Sequence, residues 1–251
     1  MKKIVLVTGA TSGIGKACAV KFGEKGYRLI VNGRNPEKLE SLTSELKEKG
    51  FEVLPLLFDV CDRDATTAAV NSIPSEWAEI DVLVNNAGLA LGLEPEYEGD
   101  YRDWDTMIDT NIKGLLTMTR LIVPGMVTRD KGMVINIGSV AGDAAYAGGN
   151  VYCATKAAVK TITDGLRIDL ASTRVRVTNI KPGLVETNFS NVRFHGDNER
   201  ADKVYQGIKP LTGDDIADVA VYAAEAPEHV QIAEVLVLAT HQGSGSVIVR
   251  R

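Results

Sequence analysis

The chain has 251 residues, of which 45% are hydrophobic and 24% are charged, and its formal net charge is −5. The composition is typical of a globular protein, and the length favours one α/β domain over residues 1–251, with a core that needs no disulfide or metal to fold. The acidic balance and the lack of a basic block argue against nucleic acid or an anionic membrane as a partner.

Cysteines and histidines are few and scattered. Cys18, Cys61 and Cys153 are odd in number and widely spaced, which indicates reduced thiols and a cytoplasmic protein. The three histidines do not pair with cysteines or carboxylates at metal-ligand spacing, so we expect no bound metal. The first apolar run is too short for a signal peptide, and no stretch approaches the roughly 18 apolar residues of a membrane helix.

Short, apolar, β-branched runs alternate with longer amphipathic stretches. The predicted strands are 4–8, 28–32, 52–58, 82–85, 132–137, 175–180 and 234–238. The predicted helices are 14–25, 36–49, 63–73, 101–127, 151–172 and 214–225. Consecutively apolar strands separated by helices predict a doubly wound parallel sheet, a Rossmann fold of about seven strands with helices on both faces. Residues 187–211 lack a clear period, which is typical of a functional lid or a disordered loop.

A glycine-rich turn follows the first predicted strand. Gly9, Gly13 and Gly15 give a G-x-x-x-G-x-G spacing, which differs from the commoner G-x-G-x-x-G dinucleotide motif. Glycines let the backbone approach a pyrophosphate closely, and the N-terminus of the following helix supplies free N–H groups. The pattern predicts a phosphate-binding loop; the alternative is a glycine-rich turn without a ligand.

The second predicted strand ends at Gly33 and Arg34, where NAD-binding sites place an acidic residue to hold the ribose 2′-hydroxyl. A guanidinium in place of a carboxylate favours a 2′-phosphate, and hence NADP. The alternative is a surface arginine at a helix start. Asp59, after the third strand, is a candidate acceptor for the adenine amino group or, alternatively, a cap for the next helix.

Tyr152 and Lys156 are one helical turn apart, so their side chains share one helix face. An ammonium near a phenol favours the phenolate and lowers its pKa from about 10. The pair is therefore a candidate acid/base unit, although the same spacing occurs on many solvated helix faces.

Taken together, six motifs resemble the short-chain dehydrogenase/reductase family over essentially the whole chain. They are residues 8–15, the N-N-A-G run at 85–88, Asn111, Ser139, the pair Tyr152 and Lys156, and the P-G-x-V-x-T run at 182–187. The resemblance implies an oxidoreductase with a catalytic tetrad of Asn111, Ser139, Tyr152 and Lys156. It implies cofactor binding by Gly9, Thr11, Ser12, Gly13, Ile14, Gly15, Arg34, Asp59, Val60, Asn86, Ala87, Gly88, Tyr152, Lys156, Pro182, Gly183, Val185 and Thr187.

The resemblance also implies a role for each member of the tetrad. Tyr152 is the acid/base, and Lys156 lowers its pKa and contacts the nicotinamide ribose. Ser139 donates to the substrate oxygen, and Asn111 holds a water that links Lys156 to solvent. The alternatives from the residues alone are a turn residue for Ser139, a helix cap or kink for Asn111, and surface charge for Lys156.

Further segments are similar to the NADP-dependent 3-hydroxy acid dehydrogenases, also called serine or allo-threonine dehydrogenases. They include 85–95, 104–114, 146–152 and 189–194. This resemblance implies a short 3-hydroxy acid substrate such as serine, allo-threonine or 3-hydroxypropionate, bound at Ser139 and Tyr152. Arg193 is the candidate partner for the substrate carboxylate, or alternatively a solvated loop arginine. The wider family implies a homotetramer.

Two other functions compete with a 3-hydroxy acid dehydrogenase. A 3-oxoacyl reductase acting on a thioester carried by a protein or a coenzyme would share every catalytic residue, and a basic patch near the cleft would favour it. A dinucleotide-sensing regulator on the same fold would need no tyrosine-lysine pair, so the complete tetrad argues against it.

Overall fold

The structure, a computed structural model, describes residues 2–250, and its centre is one sheet of seven parallel strands. The strands are β1 (Ile4–Val7), β2 (Arg28–Gly33), β3 (Val53–Leu57), β4 (Val82–Asn85), β5 (Gly132–Ile137), β6 (Val175–Pro182) and β7 (Glu234–Val237). Their order across the sheet is β3-β2-β1-β4-β5-β6-β7. The predicted doubly wound parallel sheet is therefore confirmed.

Nine α-helices occur within residues 2–250. They are α1 (Gly13–Glu24), α2 (Pro36–Glu48), α3 (Arg63–Asn71), α4 (Tyr101–Ile108), α5 (Leu115–Thr128), α6 (Asn150–Asp169), α7 (Phe189–Arg193), α8 (Asn198–Lys203) and α9 (Gly213–Glu225). None of the helices in this part of the chain is both long and apolar enough to cross a lipid bilayer.

The two faces of the sheet bury separate apolar cores. Val5 and Val7 of β1 pack in one core with α1, α2 and α9, whereas Ile4 and Leu6 pack in the other with α5. Alternate strand residues point to opposite faces, so a strand covered on both sides must be apolar at every position. Each fully buried aliphatic side chain stabilises the fold by roughly 1.5–3 kcal/mol.

Two segments differ from the sequence prediction. The single helix expected over 101–127 is divided by a π-helical segment, Asp109–Gly114, between α4 and α5. The 187–211 segment, which lacks a sequence period, contains the short helices α7 and α8. Helices of five or six residues are too short to show a convincing apolar period, and contacts with the rest of the protein decide them.

The candidate site residues gather at the carboxyl edge of the sheet. β1 pairs with β2 on one side and with β4 on the other, so the chain leaves the sheet in opposite directions around this point. Doubly wound sheets bind ligands in the crevice formed there. The glycine loop follows β1, Asn86 follows β4, Ser139 follows β5, and Pro182 ends β6.

Candidate active site

The glycine loop is closely packed against the segment after β4. Gly9 and Gly13 have positive φ angles of 61° and 52°, which few other residues adopt. A Cβ on Gly15 would collide with the carbonyl oxygen of Gly9 and with the side-chain nitrogen of Asn86. The spacing of the glycines is therefore required by the folded backbone itself.

Side chains of Thr8 and Asn86 lock the loop in place. Thr8 Oγ1 accepts hydrogen bonds from the backbone N–H groups of Asn86 and Ala87, both at 3.0 Å. Asn86 Nδ2 donates to the carbonyl oxygens of Thr8 at 2.9 Å and Gly9 at 3.1 Å. These contacts support the loop and leave the amino end of α1, with Ser12 as N-cap, facing the crevice. That arrangement fits a pyrophosphate, because the first N–H groups of a helix have no partner within the helix.

Asn32 is a supporting residue that the sequence reasoning missed. Its Oδ1 accepts from Gly9 N at 3.2 Å, and its Nδ2 donates to the carbonyls of Leu56 at 3.2 Å and Phe58 at 2.9 Å. It therefore ties the glycine loop to the end of β3. The available signal was a buried polar residue directly after the apolar run 29–31 of β2, since buried amides must find partners.

Arg34 and Asp59 lie together beyond the ends of β2 and β3. Arg34 Nη1 is 3.4 Å from Asp59 Oδ2, and the Arg34 side chain is 60% exposed. Asp59 Oδ1 accepts from Cys61 N at 3.0 Å, whereas the N-cap of α3 is Asp62. The cap alternative for Asp59 is therefore wrong. The loose ion pair leaves the guanidinium free to turn toward an anionic group.

The remaining predicted cofactor residues lie in the glycine loop, in α1, or near the carboxyl ends of β3 and β6. Thr11 packs against Gly33, and a Cβ on Gly13 would lie 3.1 Å from Thr187 Cγ2. Val185 forms a parallel bridge with Leu211. The others are placed as follows: partly buried Ile14 packs against the core on the α1 face, buried Val60 follows Asp59, Pro182 ends β6, and Gly183 donates to Val237 O at 2.7 Å.

The tetrad residues come from three separate parts of the chain. Tyr152 and Lys156 lie in the first turns of α6, and both are buried. Lys156 Nζ donates to Ile137 O at 2.8 Å and lies 5.9 Å from the centre of the Tyr152 ring. Ser139 follows β5, and its Oγ accepts from Ala141 N at 3.1 Å. Lys156 is therefore not surface charge, and Ser139 combines a local turn contact with its place in the site.

Asn111 lies in the π-helical segment, and its side chain points toward the backbone of Leu89. Its Oδ1 accepts from Leu89 N at 2.9 Å, and its Nδ2 donates to Leu89 O at 2.8 Å and Thr155 Oγ1 at 3.0 Å. A Cβ on Gly88 would meet both Asn111 Oδ1 at 3.2 Å and Lys156 Nζ at 3.4 Å. Single π-helical turns are frequent at functional sites, and this one brings the N-N-A-G run, Asn111 and Lys156 together.

Burial controls the protonation of the central pair. It raises the pKa of Tyr152, and a hydrogen bond with Ser139 opposes part of the rise. Burial also lowers the pKa of Lys156 from its ordinary value to about 8. Arg193 also opposes part of the rise in the Tyr152 pKa, whereas the lowering by Lys156 that the sequence predicts is not seen in this structure. Burial dominates because transfer out of water disfavours the charged form of each group.

Arg193 reaches the tetrad from α7. Its Nε donates to Gly92 O at 3.1 Å and its Nη1 to Tyr146 Oη at 2.8 Å. Its Cζ lies 5.8 Å from the centre of the Tyr152 ring. Arg193 Nη2 is buried and has no hydrogen-bond partner among residues 2–250. A buried guanidinium N–H without an acceptor is costly, and a bound carboxylate would satisfy it.

Aromatic residues complete the surroundings of Tyr152. Phe189 packs edge-on against Tyr152, with 5.7 Å between ring centres. Tyr146, which lacks a lysine partner, carries no role in the sequence reasoning, yet its hydroxyl orients Arg193. No spacing rule links residues 146 and 193, so only the fold could reveal this contact.

A pocket beside Tyr152 is lined by Trp104, Met107, Val151, Arg193 and four acidic residues, Glu94, Glu96, Asp100 and Asp103. Asp103 also receives a 3.0 Å contact from His195 Nε2, which joins α4 to the segment after α7. The pocket therefore places one guanidinium and several carboxylates beside a phenol, and its volume of about 20 Å³ holds about one water molecule.

Known proteins of similar sequence and structure share this arrangement of elements. The family described as short chain dehydrogenase matches residues 3–198. An NADP-dependent 3-hydroxy acid dehydrogenase of Salmonella typhi is 51% identical over 249 residues, which cover 99% of each chain. A protein of the same description from Schizosaccharomyces pombe is 44% identical, over 99% of this chain and 97% of that one.

Among solved structures, the closed form of serine dehydrogenase complexed with NADP+ has a TM-score of 0.92 and 48% identity, over 99% of both chains. The family match covers more than half of the chain, and these relatives match almost all of it. The protein therefore belongs to the short-chain dehydrogenase family.

Proposed function

We propose that this protein is an NADP-dependent dehydrogenase that interconverts the C3 hydroxyl and carbonyl of short 3-hydroxy acids such as serine, allo-threonine and 3-hydroxypropionate. The observation that carries the proposal is the partly satisfied guanidinium of Arg193, held beside Tyr152 with a buried, unpartnered Nη2. A carboxylate is the natural partner of such a group, and it would place the neighbouring C3 oxygen toward the tetrad. The 3-hydroxy acid dehydrogenases and the serine dehydrogenase that resemble this chain support the same substrate class.

The residues present fit NADP. The Gly9–Gly15 cradle, in which a Cβ on Gly15 would collide with the backbone, and the amino end of α1 would hold the pyrophosphate, and Arg34 would hold the 2′-phosphate. Thr187 and Val185 would contact the nicotinamide end. When bound, the cofactor supplies the hydride acceptor or donor.

The side chains of this protein transfer the proton and orient the substrate. In the oxidising direction the Tyr152 phenolate takes the proton of the C3 hydroxyl as the hydride leaves C3. In the reducing direction the phenol gives the proton to the carbonyl oxygen, and burial keeps that protonated form available. Ser139 donates to the same oxygen, a contact worth roughly 3 kcal/mol in comparable sites. Lys156, with a water held by Asn111, would connect Tyr152 to a proton path that reaches solvent.

The 3-oxoacyl reductase function is disfavoured by the charge of the pocket. An acidic carrier protein needs a basic surface at the cleft, whereas Glu94, Glu96, Asp100 and Asp103 line the pocket beside Tyr152. The catalytic residues do not separate the two reactions. The four carboxylates disfavour an acidic carrier protein at this surface, and the Arg193 guanidinium supplies a cation for the carboxylate of a small acid.

The test compares 3-hydroxypropionate with 1,3-propanediol, which lacks the carboxylate. We expect wild-type kcat/KM to be at least 100-fold higher for the acid. Arg193→Ala should reduce that ratio to below tenfold, because it removes the carboxylate partner. Arg200→Ala is the matched control, since Arg200 stacks on Phe194 in the same segment, 4.5 Å from the ring centre.

An unchanged ratio in Arg193→Ala would remove the residue from its assigned role. Faster NADPH oxidation with an acetoacetyl thioester than with malonic semialdehyde would instead favour the reductase. Tyr152→Phe should lose activity by roughly 100-fold or more with every substrate, in line with loss of a general acid/base.

The assembly and the compartment belong to the same proposal. We infer a homotetramer in the cytoplasm, supported by the family resemblance and by exposed apolar side chains on α5 and α6, including Leu116, Val127 and Ile168. All three cysteines are free thiols, as a reducing compartment favours. Analytical ultracentrifugation would test the tetramer, and a monomer at micromolar concentration would contradict it.

A further inference from the structure

The chain continues beyond β7 into a small hairpin, residues 241–250, that lies outside the sheet. Gln242 and Ile248 form an antiparallel bridge. Gly243 N donates to Val247 O at 2.8 Å, and Val249 N donates to His241 O at 2.9 Å. We name this segment the C-terminal hairpin. Its sequence carries none of the motifs that identify the active site.

The segment that carries Arg193 leaves and rejoins the fold at one narrow point. Leu211 N donates to Leu184 O at 2.9 Å, and Glu186 N donates to Leu211 O at 2.8 Å. We name residues 184–186 and 211 the neck, and residues 187–210 the substrate segment. Both ends of the substrate segment meet at the neck, so a displacement of the neck would move both ends of the segment. The contacts of Arg193 with Gly92 and of His195 with Asp103 hold its middle.

Gln242 of the C-terminal hairpin holds the neck directly. Its Oε1 accepts from Leu184 N at 2.8 Å, and its Nε2 donates to Ser244 O at 3.0 Å, so both ends of the buried amide are satisfied. A Cβ on Gly183 would collide with the same Oε1. The amide therefore fits closely under the backbone at the start of the neck.

A second contact joins the hairpin to the far part of the substrate segment. Arg250 Nη1 donates to the carbonyl of Val204 at 3.1 Å and also to that of Gln206. These carbonyls lie just beyond the end of α8. Arg250 is exposed, so this contact is the weaker of the two.

We propose that the C-terminal hairpin positions the substrate segment, and that Gln242 is a positioning residue for the reaction, acting through Leu184. Val185 and Thr187 follow Leu184 directly, and Thr187 approaches the glycine loop. Phe189 and Arg193 come next and reach Tyr152. Loss of the Gln242 contact should therefore disturb the cofactor and substrate contacts together. The expected changes in KM rest on the proposed function, whereas the structural link from Gln242 through Leu184 to the substrate segment does not.

The first test is Gln242→Met, which keeps the side-chain length and removes both hydrogen bonds. Gln231→Met is the matched control. Like Gln242, Gln231 accepts a hydrogen bond from a backbone N–H through its Oε1, but its donor is Val177 of β6, at 3.0 Å and away from the neck. We expect Gln242→Met to raise KM for NADP+ and for 3-hydroxypropionate about tenfold each, with kcat reduced less. Gln231→Met should leave both KM values within twofold of wild type. Equal KM values in the two variants would overturn the proposal.

Limited trypsin digestion supplies a readout that does not depend on turnover. Arg200 and Lys203 are exposed cleavage sites in the substrate segment. Gln242→Met should speed cleavage there at least fivefold over wild type, whereas Gln231→Met should not. If the wild type fails to oxidise hydroxy acids, the proposed function fails, but the digestion still tests the hairpin. Identical digestion of both variants would refute the mechanical link.

Arg250→Ala tests the second contact of the hairpin separately from the contact that Gln242 makes. It should raise KM for 3-hydroxypropionate about threefold and leave the NADPH dissociation constant, measured by fluorescence titration, within twofold of wild type. Arg174→Ala is its control, since Arg174 pairs with Asp130 on the surface and is 66% exposed. A larger effect on NADPH binding than on the hydroxy acid would contradict this division.

Discussion

The cofactor side and the substrate side of the cleft are held in different ways. On the cofactor side, formed by residues 8–15, 32–34 and 86–88, backbone approaches backbone so closely that a single Cβ at Gly15 does not fit. On the substrate side, formed by residues 91–104, 146–152 and the substrate segment, the backbone at Gly148 lies against Leu93, but side chains make other contacts between separate elements, such as Arg193 to Gly92 and His195 to Asp103.

This difference indicates which side tolerates change. A backbone cradle has one shape, and it suits a cofactor whose pyrophosphate does not vary. Contacts between side chains can be replaced one at a time at modest cost, so substrate preference can change while the fold and the cofactor site persist. Mutations on the two sides should therefore differ in both size and kind.

The largest effect is expected from Gly15→Ala, which tests the rigidity of the cofactor side. The added methyl group would meet the Gly9 carbonyl and the Asn86 amide, so we expect about 3 kcal/mol of destabilisation and at least 100-fold weaker NADPH binding. Urea unfolding and fluorescence titration would measure these effects. Gly165→Ala in α6 is the control, because its Cβ would meet open space and should stabilise the helix by up to about 1 kcal/mol. Similar results for both variants would show that the cradle adapts.

A pH-dependent effect is expected at Lys156, where the two sides meet. Its pKa is about 8 in the folded protein and about 10.4 in an unfolded chain. Between these values the unfolded state binds more protons, so this group makes stability rise with pH, by about 3 kcal/mol over the window. Below pH 8 the lysine is charged in both states, and its contribution is constant.

Chemical unfolding at several pH values from 7 to 10 would measure this slope against Lys156→Met. The variant should lack the rise. Lys160→Met is the control, because it removes a partly exposed ammonium, paired with Asp164, from the same helix. A wild-type stability that falls between pH 8 and 10 relative to Lys156→Met would reverse the predicted sign.

A smaller effect is expected from Tyr146→Phe on the substrate side. The change removes the acceptor of Arg193 Nη1 and leaves Arg193 itself in place. We expect KM for 3-hydroxypropionate to rise about tenfold, equivalent to about 1.4 kcal/mol, with KM for NADP+ unchanged. Steady-state kinetics would measure both, with exposed Tyr97→Phe as the control. An equal rise in both KM values would mean that the two sides are not separable at this residue.

An effect of the same size is expected from Arg34→Asp, at the exposed rim of the cofactor side. The change removes the 2′-phosphate partner and places a second carboxylate beside Asp59, so the ratio of kcat/KM for NADP+ over NAD+ should fall about tenfold. Lys47→Asp makes the same charge change at the other end of α2 and should leave the ratio unaltered. An unchanged ratio in Arg34→Asp would show that other groups select the cofactor.

The sequence by itself determined the strands, most helices and the glycine loop, and its resemblance to the short-chain dehydrogenases identified the candidate tetrad. Buried strands must be apolar at successive positions, a glycine is needed where backbones touch, and an acid/base pair on one helix needs an i,i+4 spacing. These are local requirements, so they leave local patterns. Tyr152 and Lys156 could be paired from their spacing alone because one helix carries both.

Only the tertiary structure decided which distant residues meet. The contacts of Asn32 with Phe58, Arg193 with Tyr146, and Gln242 with Leu184 join elements that no spacing rule connects. The π-helical turn at Asn111 and the direction of the Tyr152 pKa shift also depend on packing. Burial and long-range hydrogen bonds are set by how the elements pack against one another, and neighbouring residues in the chain carry little record of them.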